Sequence, residues 1–185
     1  MSKTICIILA DGFEEVEALQ PADIFTRLGY KVILAGLDDT AVTGAHNIRV
    51  TAEKLLKTIT VDDFDALILP GGLPGATNLQ ASAKVIELLA QANAQNKVCA
   101  AICAAPIVLH DSGIAKGKKI TGYPGCERLA KQPNCAFSGK NVEVDGNIIT
   151  AIGMGKAAAF TFAIAKALGT TTEQIDTLAA GAFID

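Results

Sequence analysis

The sequence predicts a single α/β domain in which helices cover both faces of a mostly parallel sheet. Half of the 185 residues are apolar, aromatic residues make up 5% and tryptophan is absent, a mixture typical of layered α/β proteins. Short apolar runs alternate with helical patterns along the chain, which predicts right-handed βαβ units. No repeat, linker or low-complexity tract divides the sequence, so residues 1–185 are expected to form one domain.

Five apolar runs rich in isoleucine, leucine and valine predict buried strands, because most of them end at Gly, Pro or Asp. In chain order they are Thr4–Leu9, Lys31–Ala35, Ala66–Leu69, Val98–Ile102 and Lys119–Thr121. Helical patterns cover Glu14–Leu28, Ser82–Gln95, Ala104–Asp111 and Gly155–Leu168. Two further β patterns are His46–Thr51 and a hairpin that joins Val142–Asp145 to Asn147–Ala151 through Asp145-Gly146.

Charge and cysteine content exclude several classes of protein. The net charge of −3, with scattered basic residues, argues against a nucleic-acid surface. The apolar run Ile5–Ala10 is too short to cross a bilayer, and no signal-peptide pattern precedes it, so no membrane contact is expected. The five cysteines are an odd number and no pair has metal-ligand spacing, which favours a reducing, cytoplasmic compartment and no metal site.

Cys103 is the first candidate functional residue, because ligands of parallel sheets bind at the carboxyl ends of the strands. It follows the predicted strand Val98–Ile102 and precedes Ala104 and Ala105, small residues that permit a sharp strand-to-helix turn. A helix N-terminus favours the thiolate, so its pKa is expected to fall. The alternative is a buried, inert cysteine, which is our interpretation of Cys6 and Cys99.

Glu17 is the second candidate. It shares a helical stripe with Pro21, Ile24 and Leu28, and because the rest of the stripe is apolar, the carboxylate is expected to face the sheet. Desolvation would raise its pKa and allow it to stay protonated beside a thiolate. Glu14 lies on the same side one turn earlier.

Glu15 faces elsewhere on this helix and is interpreted as a favourable first-turn charge; the same interpretation remains open for Glu14.

Pro70-Gly71-Gly72 follows the third predicted strand, and its N–H groups are candidates to stabilise an oxyanion; the alternative is an ordinary turn. Tyr123 lies in the loop after the predicted strand Lys119–Thr121, where a partner of Cys103 is expected. Neither histidine completes a Cys–His–acid triad, since His110 lies two helical turns beyond Cys103 and His46 lies in an irregular β segment.

Four blocks of the sequence together resemble the signature blocks of the ThiJ/PfpI superfamily, in order and spacing over essentially the whole chain. They are Ala10-Asp11-Gly12-Phe13-Glu14-Glu15-Val16-Glu17, Leu69-Pro70-Gly71-Gly72, Ala100-Ala101-Ile102-Cys103-Ala104-Ala105-Pro106 and Thr121-Gly122-Tyr123-Pro124. The chain is most similar to the branch that contains the Parkinson-disease-associated deglycase and the bacterial YajL. The resemblance implies a flavodoxin-like, three-layer sandwich and a homodimer.

The resemblance also implies roles for single residues. Cys103 matches an oxidisable nucleophile, Glu17 the acid that hydrogen-bonds to it, and Gly72 a glycine whose N–H lines the pocket, together with Gly71, Ala104 and Tyr123. Arg27, with Glu14, is expected on the dimer side.

Several departures from family patterns refine these roles. Tyr123 stands where the human-type branch has a histidine, and Ile152-Gly153-Met154-Gly155 makes the rim less basic. Ala104 argues against a peptidase, whose cysteine is followed by histidine, and no late His-x-Glu pair supports a glutamine amidotransferase.

The resemblance implies a cysteine enzyme without a cofactor that detoxifies reactive dicarbonyls such as methylglyoxal, or their adducts with thiols and amines. The alternative is a non-enzymatic oxidative-stress sensor or redox-regulated chaperone that uses the same cysteine, with Cys126 either a resolving thiol or a neutral surface residue. A third interpretation is a flavodoxin-like binding domain with an incidental cysteine; Ala10-Asp11-Gly12 is no phosphate-binding loop.

Overall fold

A seven-stranded sheet forms the centre of the computed structural model, which describes residues 2–132 and 136–184. The spatial order of its strands is β5-β2-β1-β6-β7-β9-β8, and a separate two-stranded sheet pairs β3 with β4. The strands are β1 Thr4–Leu9, β2 Lys31–Gly36, β3 Ala41–Thr43, β4 Arg49–Thr51, β5 Lys54–Leu55, β6 Ala66–Leu69, β7 Val98–Ile102, β8 Val142–Asp145 and β9 Ile148–Ala151.

The central sheet is parallel from β5 to β9, and β8 runs antiparallel to β9 at its edge. Consequently β1, β6 and β7 all end at the same edge, after Leu9, Leu69 and Ile102. A parallel sheet needs a covering layer on each face, and the helices supply both.

The described residues form six α-helices: α1 Glu15–Arg27, α2 Gly75–Ala81, α3 Ala83–Ala94, α4 Pro106–Asp111, α5 Ala157–Ala167 and α6 Thr172–Ala182. The first five cover the two faces of the sheet and give the three-layer sandwich. Residues of α2, α3 and α4 pack in one core, and residues of α1 and α5 pack in the other. Successive side chains of β1 point to opposite faces of the sheet, so Ile8 packs in the first core and Ile7 in the second. The predicted α/β class is confirmed.

Most of the predicted strands are confirmed, and four have the predicted bounds: β1, β6, β7 and β8. The prediction is wrong for Lys119–Thr121, which forms no strand. Its Thr121 N–H donates to the Thr150 hydroxyl at 2.8 Å, and its Lys119 N–H donates to Asp145 at 2.9 Å. These two N–H groups therefore bind side chains and not the backbone of a neighbouring strand, and the strand that pairs with β7 at this position is β9.

The hairpin between β8 and β9 is confirmed, but its turn is shifted by one residue. Asp145 pairs with Ile148, so the two turn residues are Gly146 and Asn147. Gly146 has a φ of +66°, which suits a hairpin turn of this length.

Helices α2 and α6 and the pairing of β3 with β4 were not predicted from the sequence. Helix α6 begins at a capping box in which the Thr171 hydroxyl accepts from the Gln174 N–H. Within residues 2–132 and 136–184, no helix is both long and apolar enough to cross a bilayer.

Candidate active site

Cys103 occupies a sharp turn between β7 and α4. Its φ of +63° lies in the left-handed region, which non-glycine residues rarely adopt. The turn is held from both sides: the Cys103 N–H donates to the Ala151 carbonyl at 2.9 Å, and the Cys103 carbonyl accepts from the Tyr123 N–H at 2.7 Å. The side chain is therefore displayed at the strand end, as the small residues after it predicted.

Gly71 packs directly against this turn. A Cβ at Gly71 would lie 2.7 Å from the Cys103 Cβ and 2.7 Å from Glu17 Oε2. No real side chain fits such a gap, so glycine at this position lets the end of β6 approach both groups. Cys103 and Glu17 thus share one small space at the edge of the sheet.

Glu17 is completely buried on the inner face of α1. One of its oxygens, Oε2, accepts a hydrogen bond of 2.8 Å from the Gly71 N–H. The other, Oε1, is buried and has no hydrogen bond of good geometry among the described residues. A buried carboxylate oxygen without a donor is costly, so the protonated form is favoured.

Burial raises the pKa of Glu17 to about 7, and the negative charge of Glu14 adds to the rise. The Gly71 N–H and the Cys103 thiol oppose this rise by hydrogen bonding. The predicted inward orientation of Glu17 is therefore found in the structure, and its burial raises the pKa in the predicted direction.

The pKa of Cys103 differs from its prediction. Burial and the charged, hydrogen-bonded Glu17 raise the pKa of Cys103 to about 12, while the N–H groups of Ala104 and Gly72 lower it only in part. The expectation of a lowered pKa was wrong for a thiol beside an ionised Glu17, because the six-residue helix α4 cannot outweigh burial and a neighbouring negative charge. Protonation of Glu17 removes that charge.

The two glycines after β6 have different tasks. The Gly71 N–H is occupied by Glu17, so its predicted place as a free oxyanion donor is wrong. The N–H groups of Gly72 and Ala104 interact with the Cys103 sulfur. Gly72 has a φ of +84°, and a Cβ there would lie 2.4 Å from the Glu14 nitrogen, so the site requires glycine at this position.

Tyr123 borders the site through its backbone, although the strand predicted before it does not form. Its side chain is 55% exposed. The ring lies near Gly153, where a Cβ would be 3.7 Å from Tyr123 Cδ2.

Glu14, Glu15 and His46 form a cluster beside the beginning of α1. Glu15 is 4% exposed and accepts from the His46 N–H at 2.8 Å, while its Oε2 lies 2.9 Å from His46 Nδ1. Glu15 lies in the first turn of α1, as interpreted from the sequence. Its carboxylate also binds the turn between β3 and β4, a contact that the sequence did not indicate. Although burial opposes it, hydrogen bonding to His46 keeps the pKa of Glu15 low, and the same contact raises the pKa of His46.

This cluster was absent from the sequence analysis, since residues 31 positions apart in sequence share no local pattern. Ligand atoms of Glu14, Glu15 and His46 lie within 4.8 Å of one another, a spacing that a metal ion could bridge.

The remaining residues singled out in the sequence lie away from Cys103 or are buried in the core. Arg27 is exposed at the far end of α1 and pairs with Asp23 at 2.7 Å. His110 lies 3.2 Å from Asp111 and, as predicted, near the end of α4. Cys6 and Cys99 are fully buried, as predicted, and burial is the largest cause that raises the pKa of each to about 12.

Cys126 is half-buried, and its pKa is raised by burial, then by Glu127 and Glu17. The Glu17 charge therefore acts on the Cys126 thiol. Cys126 and Cys103 are both free thiols in the structure, with no disulfide between them. Cys135 lies outside the described residues.

The chain matches the model of the DJ-1/PfpI family over residues 3–167. It is 37% identical to protein dj-1beta of Drosophila melanogaster over 185 residues, which cover 100% of this chain and 98% of that protein. The crystal structure of Drosophila DJ-1beta superposes with a TM-score of 0.92 at 36% identity over 100% of both chains.

Two further similarities extend this comparison. The Parkinson disease protein 7 homolog of Danio rerio is 34% identical over 169 residues, which cover 90% of this chain and 89% of that protein. A structure described as Toxoplasma gondii DJ-1, oxidized, superposes with a TM-score of 0.90 at 30% identity, covering 98% of both chains. The resemblance seen in the sequence is thereby confirmed, and the chain belongs to the DJ-1/PfpI family.

Proposed function

We propose that the protein is a cysteine-dependent enzyme that detoxifies reactive dicarbonyls, such as methylglyoxal or its adducts with thiols and amines, without a cofactor. The observation that carries this proposal is the juxtaposition of a displayed thiol, Cys103, with a buried acid, Glu17, whose pKa lies near 7. A nucleophile beside an acid that can hold or release a proton at neutral pH supplies both parts of such a reaction.

The reaction begins when the Glu17 carboxyl group holds the proton and Cys103 is a thiolate. The sulfur attacks the aldehyde carbon of methylglyoxal and a C–S bond forms, while the carbonyl oxygen takes the proton that Glu17 held, which gives a hemithioacetal and a Glu17 carboxylate. The N–H groups of Gly72 and Ala104, which interact with the sulfur, are placed to stabilise the developing oxyanion.

The Glu17 carboxylate then takes the proton from the former aldehyde carbon and delivers it to the neighbouring ketone carbon, while the hydroxyl proton of the hemithioacetal passes to the ketone oxygen. The first carbon is oxidised to a thioester and the second is reduced to an alcohol, so no external oxidant is required. Water hydrolyses the thioester, which releases lactate and restores the thiol. The net change is the addition of one water molecule to methylglyoxal.

The direct test is lactate formation from methylglyoxal by purified wild-type protein, Cys103→Ala and Cys99→Ala. Loss of turnover in Cys103→Ala with retention in Cys99→Ala is the expected result, because Cys99 is buried inside β7. Equal rates in wild type and Cys103→Ala would refute the proposal.

A second candidate function is oxidation sensing or redox-regulated chaperone activity through the same thiol. The observation that favours it is the carboxyl group beside Cys103, since a protonated Glu17 can donate a hydrogen bond to a sulfinate. The similar Toxoplasma protein has been described in an oxidized form.

Intact mass and peptide mapping after mild peroxide treatment test this second function. Addition of oxygen confined to Cys103 supports it, and oxidation spread evenly over the cysteines contradicts it. A Cys103–Cys126 disulfide in the same digest would assign Cys126 as the resolving thiol.

The assembly and location of the protein belong to the same proposal. By its family relationship we expect a cytoplasmic homodimer, and Glu14 and Arg27 are the proposed dimer-side residues. Light scattering of wild type and of Arg27→Glu would test the dimer, since a charge reversal in an interface weakens association.

A further inference from the structure

Three large apolar side chains project into solvent from loops around Cys103. Leu73 is 51% exposed, Tyr123 55% and Met154 53%. Such residues are uncommon on this surface: the described part of the chain exposes eight large hydrophobic residues, and three of them lie on segments next to the Cys103 turn. Exposed apolar groups on segments that border a candidate active site favour an apolar ligand there.

Each of the three loops is tied to the Cys103 turn by a separate contact. Leu73 follows Gly71, which packs against the Cys103 side chain, and Gly72, whose N–H interacts with the Cys103 sulfur. Tyr123 donates its N–H to the Cys103 carbonyl at 2.7 Å. Met154 follows Gly153, which lies beside the Tyr123 ring, and Ala151, whose carbonyl accepts from the Cys103 N–H. We call Leu73, Tyr123 and Met154 the apolar rim.

The charges near the rim are mainly negative. Glu17 lies beside the thiol, and Glu14 is close enough to raise the pKa of Glu17. The basic residue on the three loops is Lys156, at the end of the turn that contains Met154. An anionic substrate would meet the carboxylates when they are ionised, whereas an uncharged one would not.

We propose, on the basis of the function above, that the apolar rim selects 2-oxoaldehydes whose second substituent is uncharged and apolar, aromatic substituents above all. With the aldehyde carbon at the Cys103 sulfur, the substituent on the ketone carbon extends outward to the rim. It would cover Leu73 and Met154 from water and stack against the Tyr123 ring. Glyoxal lacks such a substituent, and glyoxylate carries a negative charge instead.

Steady-state kinetics with phenylglyoxal, methylglyoxal and glyoxal test the selection. One methylene group in a closed hydrophobic pocket changes specificity by roughly 10–200-fold. Because the rim is open to solvent, we expect wild-type kcat/KM for phenylglyoxal to exceed that for methylglyoxal by only about tenfold. Glyoxal and glyoxylate should be poorer still. Tyr123→Ser and Met154→Ser should each lose about threefold of the preference for phenylglyoxal, since each removes part of the apolar contact area.

Val144→Ser is the matched control. Val144 is 53% exposed, as Met154 is, but lies on the edge strand β8. Retention of the wild-type preference in this variant, with loss in the rim variants, supports the proposal. Equal preference in wild type and Tyr123→Ser overturns it.

A readout without turnover separates this proposal from the proposed function. Alkylation of Cys103 by N-benzyl-iodoacetamide, iodoacetamide and iodoacetate is measured by mass, and each rate is divided by the rate with glutathione. A normalised preference for the benzyl reagent that falls in Tyr123→Ser supports the apolar rim even if no dicarbonyl is converted. Equal normalised rates for the three reagents overturn the rim, even in an active enzyme.

Discussion

Cys99 lies inside β7 and Cys103 just beyond its end; burial raises the pKa of both thiols, but only Cys103 also has a charged neighbour. Burial alone raises the pKa of Cys99 to about 12. For Cys103, burial acts together with the Glu17 carboxylate, and the N–H groups of Ala104 and Gly72 oppose the rise. Cys99 has the extended backbone of β7, whereas Cys103 has a φ of +63°.

The difference shows what allows a buried thiol to react as a nucleophile. Desolvation of Cys99 can be removed only by opening the strand, so that thiol stays inert while the protein is folded. The charge beside Cys103 disappears when Glu17 binds a proton, and Glu17 does so near pH 7. Reactivity at Cys103 therefore depends on the position of one proton.

The largest expected difference is between Cys103→Ala, which should lose activity, and Cys99→Ala, which should lose stability. Cys103→Ala should abolish dicarbonyl conversion and the first oxidation step, because it removes the nucleophile. Cys99→Ala should keep both and lower the free energy of unfolding by about 1–2 kcal/mol, through the small cavity left in the core. Turnover and urea unfolding of both variants measure these effects; an inactive, fully stable Cys99→Ala protein would argue against the distinction.

Gly71→Ala should have the next largest effect. The new methyl group would lie 2.7 Å from both the Cys103 Cβ and Glu17 Oε2, so the two groups must move apart. We expect a loss of about 1–3 kcal/mol in stability from overpacking and a fall in Cys103 alkylation rate. Gly181→Ala on α6 is the matched control, because nothing lies within 4 Å of a Cβ added there. A Gly71→Ala protein with wild-type alkylation would contradict the shared space between Cys103 and Glu17.

Glu17→Gln should change how stability depends on pH. The folded-state pKa of Glu17 is raised from 4.5 to about 7, so its contribution to stability is complete below pH 4.5 and is lost as pH rises through 7. The loss approaches about 3 kcal/mol by linkage. Denaturant unfolding at pH 4.5 and pH 8 should show the wild type losing this stability relative to the variant. Parallel pH dependence in the two proteins would show that Glu17 is not desolvated.

Glu14→Gln should have the smallest effect. The Glu14 charge is the weakest of the causes that shift the pKa of Glu17, and it is partly exposed. Its removal should move the proton uptake of Glu17 slightly to lower pH, as followed by the carboxyl signal in NMR. If Glu14→Gln shifted the pKa of Glu17 more than Gly71→Ala does, the Glu14 charge would not be the weakest influence on Glu17.

The sequence predicted the site where local chemistry determines the structure. Alanines after Cys103 indicated the sharp turn, and the apolar stripe around Glu17 indicated its inward orientation. The family resemblance then connected the two residues, which lie on different elements.

Contacts between distant segments could not be predicted in the same way. The Glu15–His46 pair and the use of the Gly71 N–H by Glu17 depend on how loops meet after folding. Lys119–Thr121 has a strand-like composition, but side chains of Asp145 and Thr150 take up two of its N–H groups. The pKa of Cys103 was mispredicted because the position of the helix was visible in the sequence while the depth of burial was not.

The alkylation rate of Cys103 as a function of pH, in wild type and Glu17→Gln, tests the central claim most directly. In the wild type the pair should release one proton near pH 7, which lets the remaining proton reside on Glu17 while Cys103 is a thiolate. The rate should therefore rise through about pH 7, level off and rise again toward pH 12. Glu17→Gln should lack the step near pH 7 and show one rise below pH 12, since the neighbouring charge is gone. Superimposable profiles for the two proteins would contradict the account.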